Sequence, residues 1–249
     1  MGRDKFCELF LDLGYRVRKV RNYTKTTVPG WVNYPNLIEG MMVIRPYQVL
    51  QSDITYFELN ARFYYVIFII DVYTREILGY NLADNLRAEC NVKALNMALK
   101  KIPKTNLKSL IHHSDRGSQY SSKLYTELLK EAGIQISMGE KAQDNPYAER
   151  VNGTLKNEYL KLWRINTFAA LKAKVKKAVN HYNRHRLHKA FNDQYSPLGF
   201  KQALVNLNTQ ERPMVIIYAD GNYKCKVASS HHAFNPREVP QAHNCPIVL

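Results

Sequence analysis

Apolar positions fall into two rhythms along the chain, and the switches between them mark out the elements. Phe6, Leu9, Phe10 and Leu13 recur at helical spacing, and Gly14 closes the run as glycine commonly closes a helix. A basic stretch follows (Arg16, Arg18, Lys19, Arg21, Lys25), then the loop-forming PGWVNYPN. From about residue 47 the rhythm shortens. Residues 48–57, 63–71 and 75–82 are β-rich runs separated by short polar turns, which predicts an antiparallel meander. The middle run contains FYYVIFII, apolar at every position, as a strand covered on both faces should be. Helical spacing returns over 87–101 (Val92, Leu95, Ala98, Leu99). A short strand is expected over 107–112, a helix over 123–132 ended by Gly133, and a strand over 134–138. The next helix is expected to be capped by Asp144 or Asn145, with Pro146 in its first turn, where a missing N–H costs nothing. Its apolar stripe is Ala148, Val151, Leu155, Tyr159 and Leu162, which leaves Glu149, Asn152 and Lys156 together on another face. Residues 168–182 predict a further helix and Ser196-Pro197 a turn. MVIIYA–DG–NYKCKVA reads as a hairpin turning at Asp220-Gly221. Three strands, helix, strand, helix, strand is a mixed α/β order.

Charge narrows the class of partner. The 249 residues carry a formal net charge of +15, an excess that calls for a polyanion. A membrane is a poor candidate: the longest apolar run, 63–70, is too short to span a bilayer, and the N-terminus has no signal pattern. Nucleic acid in a cytoplasmic, nucleoid-associated setting is the expectation. The excess is concentrated, since residues 150–201 hold twelve Lys/Arg against two acids, Glu158 and Asp193. An imbalance that large repels itself unless phosphates cover it, so a phosphate-binding surface is preferred over a merely solvated face. The four cysteines (Cys7, Cys90, Cys225, Cys245) form no C-x-x-C pair and read as reduced thiols. Cys225, His231, His232, His243 and Cys245 lie close in the tail, but their spacing matches no common zinc pattern.

In so basic a chain three acids draw attention. Asp53 interrupts the first strand, Asp115 follows the fourth in HHSDRGSQYSS, and Glu149 opens a helix in DNPYAERVNGTLKNEYL. Clustered carboxylates repel one another unless divalent cations are shared among them, and that arrangement serves phosphodiester chemistry. Taken singly, an Asp before Arg-Gly suits a turn and a Glu at a helix start suits the helix dipole. Asp53 is harder to place, because a carboxylate in an apolar strand costs stability unless paired. From the residues alone, a shared metal site and separate structural roles both stay open.

The blocks QSDITYF, FYYVIFIIDVYTREILGY, HHSDRGSQYSS, DNPYAERVNGTLKNEYL and HYNRHRLHKAFNDQYSPLGF, in that order, resemble the integrase-type DDE transposases of two-frame insertion sequences, relatives of retroviral integrases. The resemblance covers roughly residues 34–204. It implies a ribonuclease H-like mixed sheet with flanking helices, in which the first and fourth strands are neighbours. It also implies that Asp53, Asp115 and Glu149 are catalytic ligands of Mg²⁺ or Mn²⁺. Expected organisation is a partial helical DNA-binding region over 1–33, the integrase catalytic core over 34–204, and a C-terminal tail with a β-hairpin over 205–249. Lys156, Arg116, Asn152, Arg184 and Arg186 become candidate DNA contacts, with His112 and His113 either touching DNA or packing the loop. Asp71 and Asp144 match the blocks as well, but read better as a strand-end turn and a helix cap. The implied activity is metal-dependent DNA cleavage and strand transfer. Implied partners are element ends and target DNA, further copies of the chain, and the helix-turn-helix product of an upstream frame. An inactive remnant that only binds DNA and a ribonuclease H-like nuclease are the alternatives. Three features depart from the pattern. Asp115 and Glu149 are separated by 149 − 115 − 1 = 33 residues, slightly fewer than usual. Leu50 stands where the family often has Trp. MGRDKFCELF resembles the interior of the family's N-terminal region, which predicts a chain that starts inside it.

Overall fold

The computed structural model describes residues 2–15, 33–140, 144–207 and 212–217. A five-stranded sheet forms its centre. β2 (Val49–Leu59), β3 (Arg62–Asp71) and β4 (Ile77–Ala83) make the meander, while β5 (Ile111–Ser114) and β6 (Gln135–Met138) add in parallel, giving the order β4-β3-β2-β5-β6. β2 is antiparallel to β3 and parallel to β5, so the first and fourth strands of the sheet are neighbours, the ribonuclease H-like arrangement. Asn60 and Ala61 both have positive φ and form the two-residue turn between β2 and β3, a geometry that follows the twist of the strands.

Alternation in β3 decides what packs on each face. Ile67 and Ile69 join Leu78, Ala94, Leu95 and Leu129, beneath α2 (Ala88–Leu99) and α4 (Lys123–Glu131). Val66, Phe68 and Ile70 join Val151, Leu155, Val175 and Val179 on the opposite face, beneath α5 (Pro146–Thr154) and α6 (Phe168–Arg184). β3 is therefore covered on both sides, as its unbroken apolar run predicts. α2 comes so close to β4 that a Cβ on Gly79 would overlap the Ala94 carbonyl. A third apolar group links β1 (Met42–Val43) and β7 (Val215–Ile216) to Phe191 and to Phe200 of α7 (Pro197–Ala203).

Three expectations need correction. The strand placed over 107–112 lies at Ile111–Ser114, because pairing with β2 selects its position, and Lys104–Leu107 is the short helix α3. The helix expected to run from residue 145 to Leu162 changes after Thr154 into a π-helical turn, Leu155–Tyr159, and then a 3₁₀ turn, Leu160–Leu162. The extra residue in the wide turn rotates the positions after it, and Leu162 emerges 72% exposed. At the start of that helix Asn145 occupies the N-cap position, as expected, but neither its side chain nor that of Asp144 supplies the capping bond. The apolar spacing in α1 (Arg3–Asp12) does make a helix, but Phe6, Leu9 and Phe10 are exposed among the described residues. The turn of the expected C-terminal hairpin lies outside the described residues, and Val215–Ile216 pairs antiparallel with Met42–Val43.

Candidate active site

Along the parallel ladder Val49 stands opposite Ile111 and Ser52 opposite Ser114. One residue further on each chain is a carboxylate: Asp53 in the body of β2 and Asp115 directly after β5. The register thus lays the two acids side by side where pairing ends. Asp115 Oδ1 accepts the Gly117 N–H at 3.1 Å, which orders the loop behind it. Glu149 lies in the first turn of α5 with its side chain exposed, and its N–H donates to the Asn145 carbonyl at 3.2 Å.

Side chains and backbone of β2 hold that helix. Gln51 Oε1 accepts the N–H groups of Tyr147 (3.0 Å) and Ala148 (3.3 Å). It therefore caps the helix from the sheet, satisfying donors that the helix itself leaves free. Asn145 Nδ2 donates to the Ser52 carbonyl at 2.8 Å, and Asn152 Nδ2 to Asp53 Oδ2 at 2.7 Å. Asp144 Oδ2 accepts the Glu140 N–H at 2.7 Å, so it orders the loop before the helix.

The three acids sense one another. Burial, and then the charge of Asp115, raise the Asp53 pKa to about 7, with Glu149 adding to the rise. The Ile54 N–H and Asn152 favour the charged form and limit the shift. Glu149 is raised too, by the partial desolvation of its position first and by Asp115 second. Among the described residues, no three His, Cys, Asp or Glu side chains are gathered closely enough to hold one ion. The donor set nonetheless suits a hard divalent cation: it is all oxygen, and its members disfavour one another's charge.

The other sequence candidates are dispersed. Arg116 pairs with Glu140 at 2.8 Å and Arg186 grips Glu158 through two bonds of 2.6 and 2.7 Å, while Arg184 is exposed and bonded to Asn180. Lys156 lies 4.1 Å from the centre of the Tyr56 ring. Asn152 does not share an exposed face with Lys156; it is 6% exposed and bonded to Asp53. His112 and His113 pack rather than protrude. His112 Nε2 bonds Tyr125 Oη at 2.9 Å and His113 Nδ1 bonds Ser137 Oγ at 2.8 Å. Burial pushes their pKa values down to about 3 and about 4. Asp71 is the turn residue expected, accepting bonds from the Tyr47 N–H and from the Thr74 N–H and hydroxyl. The sequence does not single out Gln51; its one signal is a polar residue two places before Asp53, on the same face of the strand.

Two models of the integrase core domain match residues 44–143 and 132–195. The insertion element IS600 uncharacterized 31 kDa protein of Shigella sonnei is 34% identical over 208 residues, covering 81% of this chain and 75% of its own. The transposase for insertion sequence element IS904 of Lactococcus lactis is 32% identical over 176 residues, 68% of this chain and 67% of that protein. Of the IS986/IS6110 protein of Mycobacterium tuberculosis, 40% identical over 121 residues, the chain spans less than half, 44%. The HTLV-2 integrase catalytic core in complex with magnesium (dimeric form) has a TM-score of 0.48 at 17% identity, over 62% of this chain and 95% of that one. With its family-model matches and these relatives, the chain belongs to the integrase-core transposases of insertion sequences.

Proposed function

We propose that this chain cleaves DNA at the ends of an insertion sequence and joins the freed 3′-hydroxyl to target DNA, with Asp53, Asp115 and Glu149 as its catalytic carboxylates. The observation that carries the reading is the state of Asp53. A desolvated carboxyl group set in the body of β2 beside Asp115, with its pKa raised to about 7, is a costly feature for a fold unless it is used. The same three residues would hold Mg²⁺ or Mn²⁺, which when bound supplies activation of the attacking oxygen and charge stabilisation of the leaving one. No side chain forms a covalent intermediate in this scheme. The carboxylates orient the reacting groups, and positioning with charge stabilisation provides the rate.

Substrate binding is assigned to the basic segment 150–201. Lys156 and Arg184 are the preferred phosphate contacts, because Arg116 and Arg186 already pair with acids of the same chain. Element ends and target DNA are the proposed substrates, further copies of the chain and an upstream helix-turn-helix product the proposed protein partners, and the cytoplasm the site of action. No described helix is long and apolar enough to cross a membrane.

The deciding assay follows a labelled 3′-hydroxyl element end into plasmid DNA with Mg²⁺ or Mn²⁺, comparing wild type with Glu149→Gln. Metal-dependent joining that disappears in the variant is the expected result. Wild type that binds DNA but joins nothing under either metal would leave a DNA-binding remnant, and hydrolysis without joining would point to a nuclease.

A further inference from the structure

Three consecutive residues of β2 are each tied to α5: Gln51 through its side chain to two helix N–H groups, Ser52 through its carbonyl to Asn145, and Asp53 through its carboxylate to Asn152. All three amides in these ties are buried, and each has a second polar atom with no hydrogen-bond partner among the described residues: Gln51 Nε2, Asn145 Oδ1 and Asn152 Oδ1. Buried amides satisfied at one end only are a poor way to stabilise a helix against a sheet; apolar side chains of the same shape would do it without the desolvation cost. What such bonds provide is direction. They fix how far α5 slides along β2 and how it is rotated, to within hydrogen-bond tolerance.

We infer that Gln51, Asn145 and Asn152 form an amide brace that sets the position of Glu149 relative to Asp53, and so are positioning residues for the carboxylate site. The inference rests on the proposed roles of those two carboxylates. Gln51 is central, because it faces the same side of β2 as Asp53 and grips the two residues directly before Glu149. Without its acceptor the first turn of α5 is held on one side only. Glu149, exposed and in that turn, is then free to drift from Asp115 and Asp53.

The test uses the full chain and two substitutions of similar size. Gln51→Met removes the acceptor, whereas Gln51→Glu keeps an oxygen where the helix N-terminus favours negative charge. Three quantities are measured: Mn²⁺ affinity by calorimetry without DNA, the kcat and KM of strand transfer, and amide exchange of Tyr147 and Ala148 in metal-free protein. Expected for Gln51→Met are a loss of about tenfold or more in Mn²⁺ affinity and kcat, unchanged KM for DNA, and faster exchange at the two amides. Gln51→Glu should stay within about threefold of wild type. Wild-type Mn²⁺ affinity and joining in Gln51→Met would overturn the brace, as would equal damage in Gln51→Glu. If Gln51→Met does not fold, Asn145→Ala removes the second tie and is judged on the same measurements. Should wild type neither bind Mn²⁺ nor join DNA, the carboxylate reading falls. The brace is then decided by exchange alone, faster in Gln51→Met supporting it and unchanged overturning it.

Discussion

At Asp53, burial and the neighbouring Asp115 act in the same direction, and both favour the proton. The carboxyl ionises near 3.8 in an unfolded chain and near 7 here, so between those values the folded form binds the extra proton and stability falls as pH rises. Asp53→Asn removes that penalty. In urea unfolding without metal the variant should exceed wild type by about 1–2 kcal/mol at pH 8, the gap closing towards pH 4. No gain at pH 8 would mean the site is better solvated than its surroundings indicate. Mn²⁺ should raise the melting temperature of wild type and not of the variant, since only a folded site binds the ion. His188 runs in the opposite sense. Burial, then Arg75, Arg186 and Arg150, push its pKa down to about 3, and its Nδ1 accepts the Ala190 N–H. Stability from this neutral imidazole is present above about 6.5 and is lost as pH falls towards 3. His188→Asn, which keeps an acceptor near Nδ1, should move the acid unfolding midpoint lower; an unchanged midpoint would show that His188 is not part of the acid transition.

At the scale of elements, the sheet tolerates little change where α2 crosses β4. A methyl group on Gly79 would have to displace the Ala94 backbone carbonyl, which no side-chain rotation relieves. Gly79→Ala should cost about 3 kcal/mol in chemical denaturation, or prevent soluble expression; a cost below about 1 kcal/mol would require α2 to shift freely. Much of this layer was legible in advance. The meander, the doubly covered strand and the order of helices and strands follow from local periodicity, and Asp53 stands out against the apolar strand that carries it. The illegible part depends on distant pairing. The fourth strand of the sheet takes its place from β2 rather than from its own apolar residues, so its limits were misplaced. Gln51 caps a helix 96 positions away, a distance at which no local pattern operates. The π-helical turn after Thr154 has no composition of its own, and it invalidated the apolar stripe at Leu162. Helical spacing sets Asn152 apart from the apolar stripe, beside Glu149 and Lys156, but proximity to β2 makes it a buried partner of Asp53.

For the whole molecule, a net charge of +15 predicts DNA binding that weakens steeply with salt. Arg184 and Arg186 separate two uses of that charge. Arg184 is exposed and bonded to the neutral Asn180, so Arg184→Ala should weaken binding to any DNA sequence and reduce the slope of log K against log salt by about 1. Arg186 is bound through two bonds to Glu158, so Arg186→Ala should chiefly lower thermal stability and leave the slope nearly intact. Equal slope changes in the two variants would contradict the division. The parallel pairing of β2 with β5 has a consequence for synthesis. A ribosome that has finished the meander has made a hairpin sheet bearing one of the three proposed catalytic carboxylates, Asp53; Asp115 joins it only when residues 111–114 dock, and Glu149 only after α5 has emerged. On the proposed assignment of those carboxylates, nascent or prematurely terminated chains that lack α5 are chemically silent towards the chromosome, and the capacity to break DNA waits for Glu149.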